Sequence, residues 1–153
     1  MLDQWLEEKE LKDNAIVIFM NDNGGTAGVP IYNAGMRGNK GSNYEGGHRA
    51  ACFIRWPGGN FGIPRDVNCP STIQDILPTL VDLAVLRVDE ETSFDGISLK
   101  PLLEKESDQF DDRIFLVQYG GRETPQKYYS CVVWGAWRLV GENELYNLDS
   151  DPG

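Results

Sequence analysis

Residues 15–25 read AIVIFMNDNGG: six apolar side chains without a break, then Asn21, Asp22, Asn23, Gly24 and Gly25. The run is short and rich in β-branched residues, which predicts a strand. Its apolarity is continuous rather than alternating, so the expected strand is covered on both faces, as in the parallel sheet of an α/β protein. Ligands of open parallel sheets sit beyond the carboxyl ends of the strands, and Asp22 and Asn23 fall there. A carboxylate and a carboxamide are the oxygen donors that hard cations such as Ca²⁺ or Mg²⁺ prefer. Two ligands do not complete a shell, however, and Asp-Asn-Gly-Gly is also a turn sequence; on the tetrapeptide alone a turn is the simpler reading.

Working outward, Leu2, Trp5 and Leu6 share a helical face, predicting an amphipathic helix that ends near Asp13 and Asn14. Downstream, residues 21–47 hold eight glycines and no helical or strand period. Connections of this length in compact domains are usually functional or disordered. Within it, Lys40 lies between glycine-flanked turns, where small neighbours let an anion approach the ammonium. The phosphate-binding pattern GxxxxGK[ST] is absent, because Gly41 follows Lys40. AACFIRW (50–56) is a second strand candidate, stopped by Pro57-Gly58-Gly59. STIQDILPTLVDLAV (71–85) has apolar residues at helical spacing. Either Ser71 and Gln74 form a capping box, or Asp75 caps and Pro78 sits in the first turn; Pro78 favours the second.

A polar stretch at 87–93 precedes SLKPLLEKE, at best a short helix. RIFLVQY, YSCVVW, WRLV and ELYNL then read as short strands joined by tight turns, with residues 134–137 as a hairpin reversal. The expected organisation is an α/β part over 1–105 and a small antiparallel-sheet subdomain over 106–153.

The chain has 153 residues, 41% apolar and 25% charged, ordinary for a globular protein. No apolar run is long enough to span a bilayer. The acidic, amphipathic start has none of the features of a signal peptide. Cys52, Cys69 and Cys131 form no CxxC pair and are expected to be buried free thiols. The net charge of −10 argues against nucleic acid or an anionic membrane as partner. Residues 24–65 nevertheless carry five basic residues against one acidic, Glu45, a balance that suits a small anionic substrate.

IVIFMNDNGG, RGNKGSNYEGGHR and FIRWPGG, in that order, resemble the sulfatase family. DILPTLVDLA, FDGISLKPLL and WRLVGENELYNLDSDPG look like the helix, linker and final strands of the same family, so the resemblance runs from about Leu2 to the last residue. It implies the C-terminal part of an alkaline-phosphatase-like α/β/α sheet domain plus a small α+β subdomain with an antiparallel sheet. Carried over by position, Asp22 and Asn23 are expected as two ligands of a divalent cation, calcium rather than magnesium, and Lys40 as the catalytic, substrate-binding lysine that contacts the sulfate ester. Glu45, Gly46, Gly47 and Arg49 match a motif read as structural. His48, the sole histidine, sits at a variable position, and loop packing is its expected role.

Sulfatases use a formylglycine made from the first residue of Cys/Ser-x-Pro-Ser-Arg, whose hydrated form supplies the hydroxyl nucleophile. Cys69-Pro70-Ser71-Thr72 is not that motif: the spacer is absent, Thr72 replaces the arginine, and the segment follows the lysine loop. Formylglycine is therefore expected in an N-terminal part of the catalytic domain that these residues do not include. The implied function is a C-terminal fragment of an arylsulfatase-like hydrolase, acting on a sulfated small molecule or glycan and inactive alone. The alternatives are a non-catalytic sulfatase-derived binding module, or part of a phosphoester or phosphonate hydrolase of the same superfamily. A parent enzyme typical of the family would be periplasmic or extracellular. The apolar strand, short of sheet neighbours, is expected to make the isolated chain self-associate.

Overall fold

The computed structural model describes residues 1–107, 109–110, 112–119, 124 and 126–151. Two compact units emerge, each assembled from two stretches of chain: residues 1–17 with 55–111, and residues 18–54 with 112–153.

In the first unit, α1 (Leu2–Glu8) stops earlier than its pattern suggests. Glu10 takes a left-handed φ of 56°, Leu11 N–H donates to Leu6 O at 2.8 Å, and Glu10 N–H donates to Glu7 O at 3.0 Å. This is a Schellman ending, closed by a glutamate instead of the usual glycine. Of the apolar face only Leu6 is buried; Leu2 and Trp5 stay exposed.

The later helix of this unit starts where proline allows. A 3₁₀ turn, Ile73–Asp75, leads into α3 (Ile76–Leu83), with Pro78 in the first turn. The capping box is made by Thr72 and Asp75, one residue later than the Ser71–Gln74 pairing. Asp75 is fully buried. Its carboxylate accepts from Thr72 N–H at 2.8 Å and Ile97 N–H at 2.9 Å. Thr79 extends the network, donating to Asp75 O at 2.6 Å and accepting from Leu99 N–H at 2.8 Å. One aspartate thus ties the helix start to the segment leading into α4 (Lys100–Leu103).

The site belongs to the second unit. Strand β1 (Val17–Met20) pairs with β2 (Cys52–Arg55), both reaching its boundary, and α2 (Glu45–His48) lies between them in sequence. Past β1, Asn21 N–H donates to Ala51 O and Gly24 N–H to Gly47 O. Partner numbers fall as residue numbers rise, so these two segments run antiparallel. The continuous apolar run had suggested burial on both faces in a parallel sheet. Among the described residues β1 has one neighbour, and Phe19 is 66% exposed beside Phe53, ring centroids 6.3 Å apart.

The tail forms the predicted meander: β3 (Ile114–Gln118), β4 (Ser130–Trp134), β5 (Trp137–Val140) and β6 (Glu144–Asn147), antiparallel in sequence order. Trp134 faces Trp137 across a two-residue reversal in which Gly135 has a positive φ of 52°. Side chains alternate between faces, and the register aligns Phe115, Val133, Arg138 and Tyr146 in one row and Val117, Cys131 and Val140 in the next. Cys131, Val133 and Val140 are the centre of this core, with Tyr44 packed against them. Only Cys131 of the three free thiols is buried; Cys52 is exposed on its sparsely covered strand and Cys69 is half-buried, which corrects the expectation for those two. The closing DSDPG of the tail motif runs into Pro152 and Gly153, outside the described residues.

Candidate functional site

Asp22, Asn23 and Lys40 line one cavity of about 220 Å³, together with Asn43, His48, Gln118 and Tyr119. The three residues singled out in the sequence are thus brought together. The means is a loop folded on its own backbone. Lys40 N–H donates to Gly25 O at 2.9 Å, Gly24 N–H to Gly47 O at 3.0 Å and Gly46 N–H to Arg37 O at 2.8 Å. Such approaches exclude side chains. A Cβ on Gly24 would lie 1.7 Å from Gly46 O, and one on Gly46 would lie 2.2 Å from Gly38 O. Here glycine serves close backbone contact rather than flexibility.

The loop is fastened to the inward face of the four-stranded sheet. Glu45, 3% exposed, accepts from Arg138 Nε at 2.6 Å; Arg138 is 6% exposed and donates through Nη1 to Gly135 O and Trp137 O, each at 2.8 Å. A second tie joins Arg37 Nη1 to Glu144 at 3.0 Å, with Tyr44 Oη donating to the same carboxylate at 3.0 Å. Burial, and then the hydrogen bond to Glu144, push the Tyr44 phenol above its ordinary range. Sequence reasoning missed Arg138. The signal was there: in WRLV the strand period puts Arg138 on the same face as Val140, and an inward-pointing guanidinium requires a buried counter-charge.

His48 stands beside this pair, its Nε2 3.7 Å from Glu45 Oε1 and without a hydrogen-bond partner. Desolvation lowers the imidazole's pKa below its usual 6.5; Arg138 acts in the same direction, while Glu45 and a hydrogen bond to the Asn43 backbone oppose it. The imidazole Nε2 faces the Glu45 carboxylate from inside the loop. Asn43, 6% exposed, has an unpartnered Oδ1 as well. A buried polar atom left unpaired costs about 1–3 kcal/mol; both atoms are closed off from solvent inside the loop rather than open to the cavity.

Asp22 is exposed and Asn23 half-buried, so their oxygens suit part of a hard-cation shell. Among the described residues no group of three His, Cys, Asp or Glu side chains could hold a metal ion. This chain's donor set therefore fits a fraction of such a site.

The fold is that of the alkaline-phosphatase-like superfamily. The crystal structure of Ps i-CgsB in complex with k-i-k-neocarrahexaose superposes with a TM-score of 0.80 at 26% identity, covering 98% of this chain and 33% of that one. The phosphonate monoester hydrolase SpPMH of Silicibacter pomeroyi shares the fold alone, with a TM-score of 0.62 at 16% identity over 99% of this chain and 34% of that one. Residues 2–86 match the family model described as Sulfatase, so the chain belongs to the sulfatase family. A sulfatase of Formosa agariphila is 35% identical over 163 aligned positions, covering 94% of this chain and 28% of that protein. The steryl-sulfatase of Mus musculus is 34% identical over 122 positions, covering 74% and 19%. The chain thus spans 19% to 28% of the length of these curated relatives.

Proposed function

We propose that this chain is part of a sulfuric ester hydrolase, in which Lys40 binds the sulfate group and Asp22 and Asn23 supply two oxygen ligands to a divalent cation, calcium in preference to magnesium. The observation that carries the reading is the convergence of these three side chains on one cavity. A compact ammonium between small residues pairs with a sulfate oxygen and offsets its charge. When bound, a divalent cation supplies Lewis-acid polarisation of the sulfate oxygens. The backbone ties from Gly24 and Lys40 hold the lysine and the Asp-Asn pair in register. The nucleophile, a formylglycine in this family, comes from residues beyond these 153, because Cys69-Pro70-Ser71-Thr72 lacks the motif that is converted. The substrate is a sulfated small molecule or glycan.

The test is a titration of the full chain, followed by backbone amide resonances. Inorganic sulfate should move the signals around Lys40, and Lys40→Ala should weaken this by about tenfold, the loss of one charge-assisted contact. Ca²⁺ should move those of Asp22 and Asn23, and Asp22→Ala should abolish the effect. Signals at 22–25 that ignore Ca²⁺ would sink the cation assignment, and sulfate binding untouched by Lys40→Ala would sink the lysine's role. With aryl sulfates and Ca²⁺ present, the chain by itself should turn over poorly. Turnover comparable to an intact enzyme, abolished by Lys40→Ala, would overturn the placing of the nucleophile.

A further inference from the structure

Lys40 stands at the corner of a β-turn. Ser42 N–H donates to Asn39 O at 2.9 Å, and Asn39 N–H donates to Ser42 Oγ at 3.1 Å, which closes the turn around Lys40 and Gly41. Gly41 has a φ of 87° while that of Lys40 is negative, the signature of a type II turn. Glycine meets the positive φ of the second corner, but it also populates many other conformations at little cost. The turn therefore has to be held from outside. Before the corner, Lys40 N–H donates to Gly25 O at 2.9 Å. After it, Tyr129, the residue preceding β4, donates through Oη to Gly41 O at 3.3 Å. The Tyr129 ring packs edge-on against Tyr119, which follows β3, with centroids 6.4 Å apart and planes at 67°. A Cβ on Gly41 would lie 3.8 Å from Tyr119 Cζ, so this second ring borders the turn as well. The ties from Glu144 to Arg37 and Tyr44, and from Arg138 to Glu45, fix the ends of the loop instead.

We propose that Tyr129 is a positioning residue for Lys40: its hydroxyl, with the Tyr119 ring bracing it, locks the peptide after the lysine and so aims the ammonium at the sulfate. This inference rests on the reading of Lys40 as the sulfate-binding residue. Lysine carries its charge on a flexible four-carbon stem, and holding that stem in one geometry costs rotamer entropy. Fixing the backbone at the root of the stem removes part of the freedom that binding would otherwise take away, and preorganisation of this kind is read as affinity. Tyr119 lines the cavity but Tyr129 does not. The effect of the Tyr129 hydroxyl therefore passes through the turn and not through a contact with the anion.

The experiment is a calorimetric titration of inorganic sulfate into the full chain and into Tyr129→Phe, which removes the hydroxyl of an exposed side chain and keeps its ring. Affinity should fall about threefold to tenfold, the worth of one neutral hydrogen bond. A general loosening of the loop would weaken binding whatever stands at position 40, so the substitution is repeated in the Lys40→Ala background. There Tyr129→Phe should have no further effect, because the group it positions is gone. The Gly41 carbonyl ¹³C resonance gives a signature independent of affinity. It should move in Tyr129→Phe and stay in place in Tyr128→Phe, which alters the neighbouring exposed tyrosine. Unchanged affinity in Tyr129→Phe, an equal loss in the two backgrounds, or a Gly41 carbonyl that does not move each overturns the positioning role. Sulfate that fails to bind, or that binds regardless of Lys40→Ala, overturns the reading of Lys40 instead, so the two failures are distinguishable.

Discussion

The two sheets of the molecule are built from similar residues and end in different states. β3–β6 closes one face: Cys131, Val133 and Val140 are buried, and the loop carrying Tyr44 and Glu45 covers them. β1–β2 has two strands, and Phe19 and Phe53 point their rings into solvent. Two strands do not bury a hydrophobic face, whereas three or more with a covering element do. The difference shows which half of the candidate site is self-supporting. Lys40 rides on a loop fixed to the closed sheet, while Asp22 and Asn23 follow the open one.

The sharpest way to break this contrast is through the ion pair. Arg138→Met removes the hydrogen-bonded partner of buried Glu45 and leaves Arg49 at 3.8 Å and His48 at 3.7 Å as its nearest cationic groups; losses of about 3–5 kcal/mol are usual when a buried pair is broken. Urea unfolding should report that loss, and the double variant Glu45→Gln, Arg138→Met should recover most of it, because an apolar, uncharged pair has no orphaned ion to bury. A loss under about 1 kcal/mol for Arg138→Met would mean the loop is held by other contacts and the closed sheet does not brace the lysine.

A smaller effect is expected at the open sheet. Burying a phenylalanine is worth roughly 1.5–3 kcal/mol, and these two are already partly covered, so each contributes about 1–2 kcal/mol to any association through this face. Light scattering should show the chain self-associating, and Phe19→Ser with Phe53→Ser should shift the midpoint to at least about tenfold higher concentration. A monomer at all concentrations would show that the exposed face is tolerated as it stands.

Much of this was legible in the sequence, for identifiable reasons. The meander was readable because alternation, turn glycine and short strands agree with one another, and the same agreement placed the Trp134–Trp137 reversal. Pro78 fixed the start of α3 through sterics that no tertiary contact overrides. The end of α1 was not legible, because Glu10 adopts a left-handed conformation that composition assigns to glycine. Nor was the exposure of β1, since a continuous apolar run states what a strand needs and not whether its neighbours are present. Motif order singled out Asp22, Asn23 and Lys40, and the three line one cavity. The inward face of Arg138 was readable from the strand period but its partner was not, because Glu45 lies 93 residues away and only the fold joins them. Asn43 was hidden for a related reason: an asparagine in a glycine loop reads as turn chemistry until its burial is known.

The smallest expected effect concerns His48 and sharpens the contrast from inside the closed half. Its folded pKa is depressed, chiefly by desolvation with Arg138 adding to it, against the pull of Glu45 and the Asn43 backbone. As pH falls through about 6.5, the unfolded chain takes up a proton on this imidazole while the folded chain does not. The unfolded state then binds more protons, so stability is fully present above that value and declines as pH falls toward the folded pKa. The slope is limited to one proton, about 1.4 kcal/mol per pH unit. Carboxylates contribute to acid sensitivity as well, so the measurement is a difference: urea midpoints between pH 7.5 and 5 for the unaltered chain and for His48→Phe. The unaltered chain should lose more stability over this range. Equal losses would place the imidazole in a solvated setting and separate it from the buried Glu45–Arg138 pair.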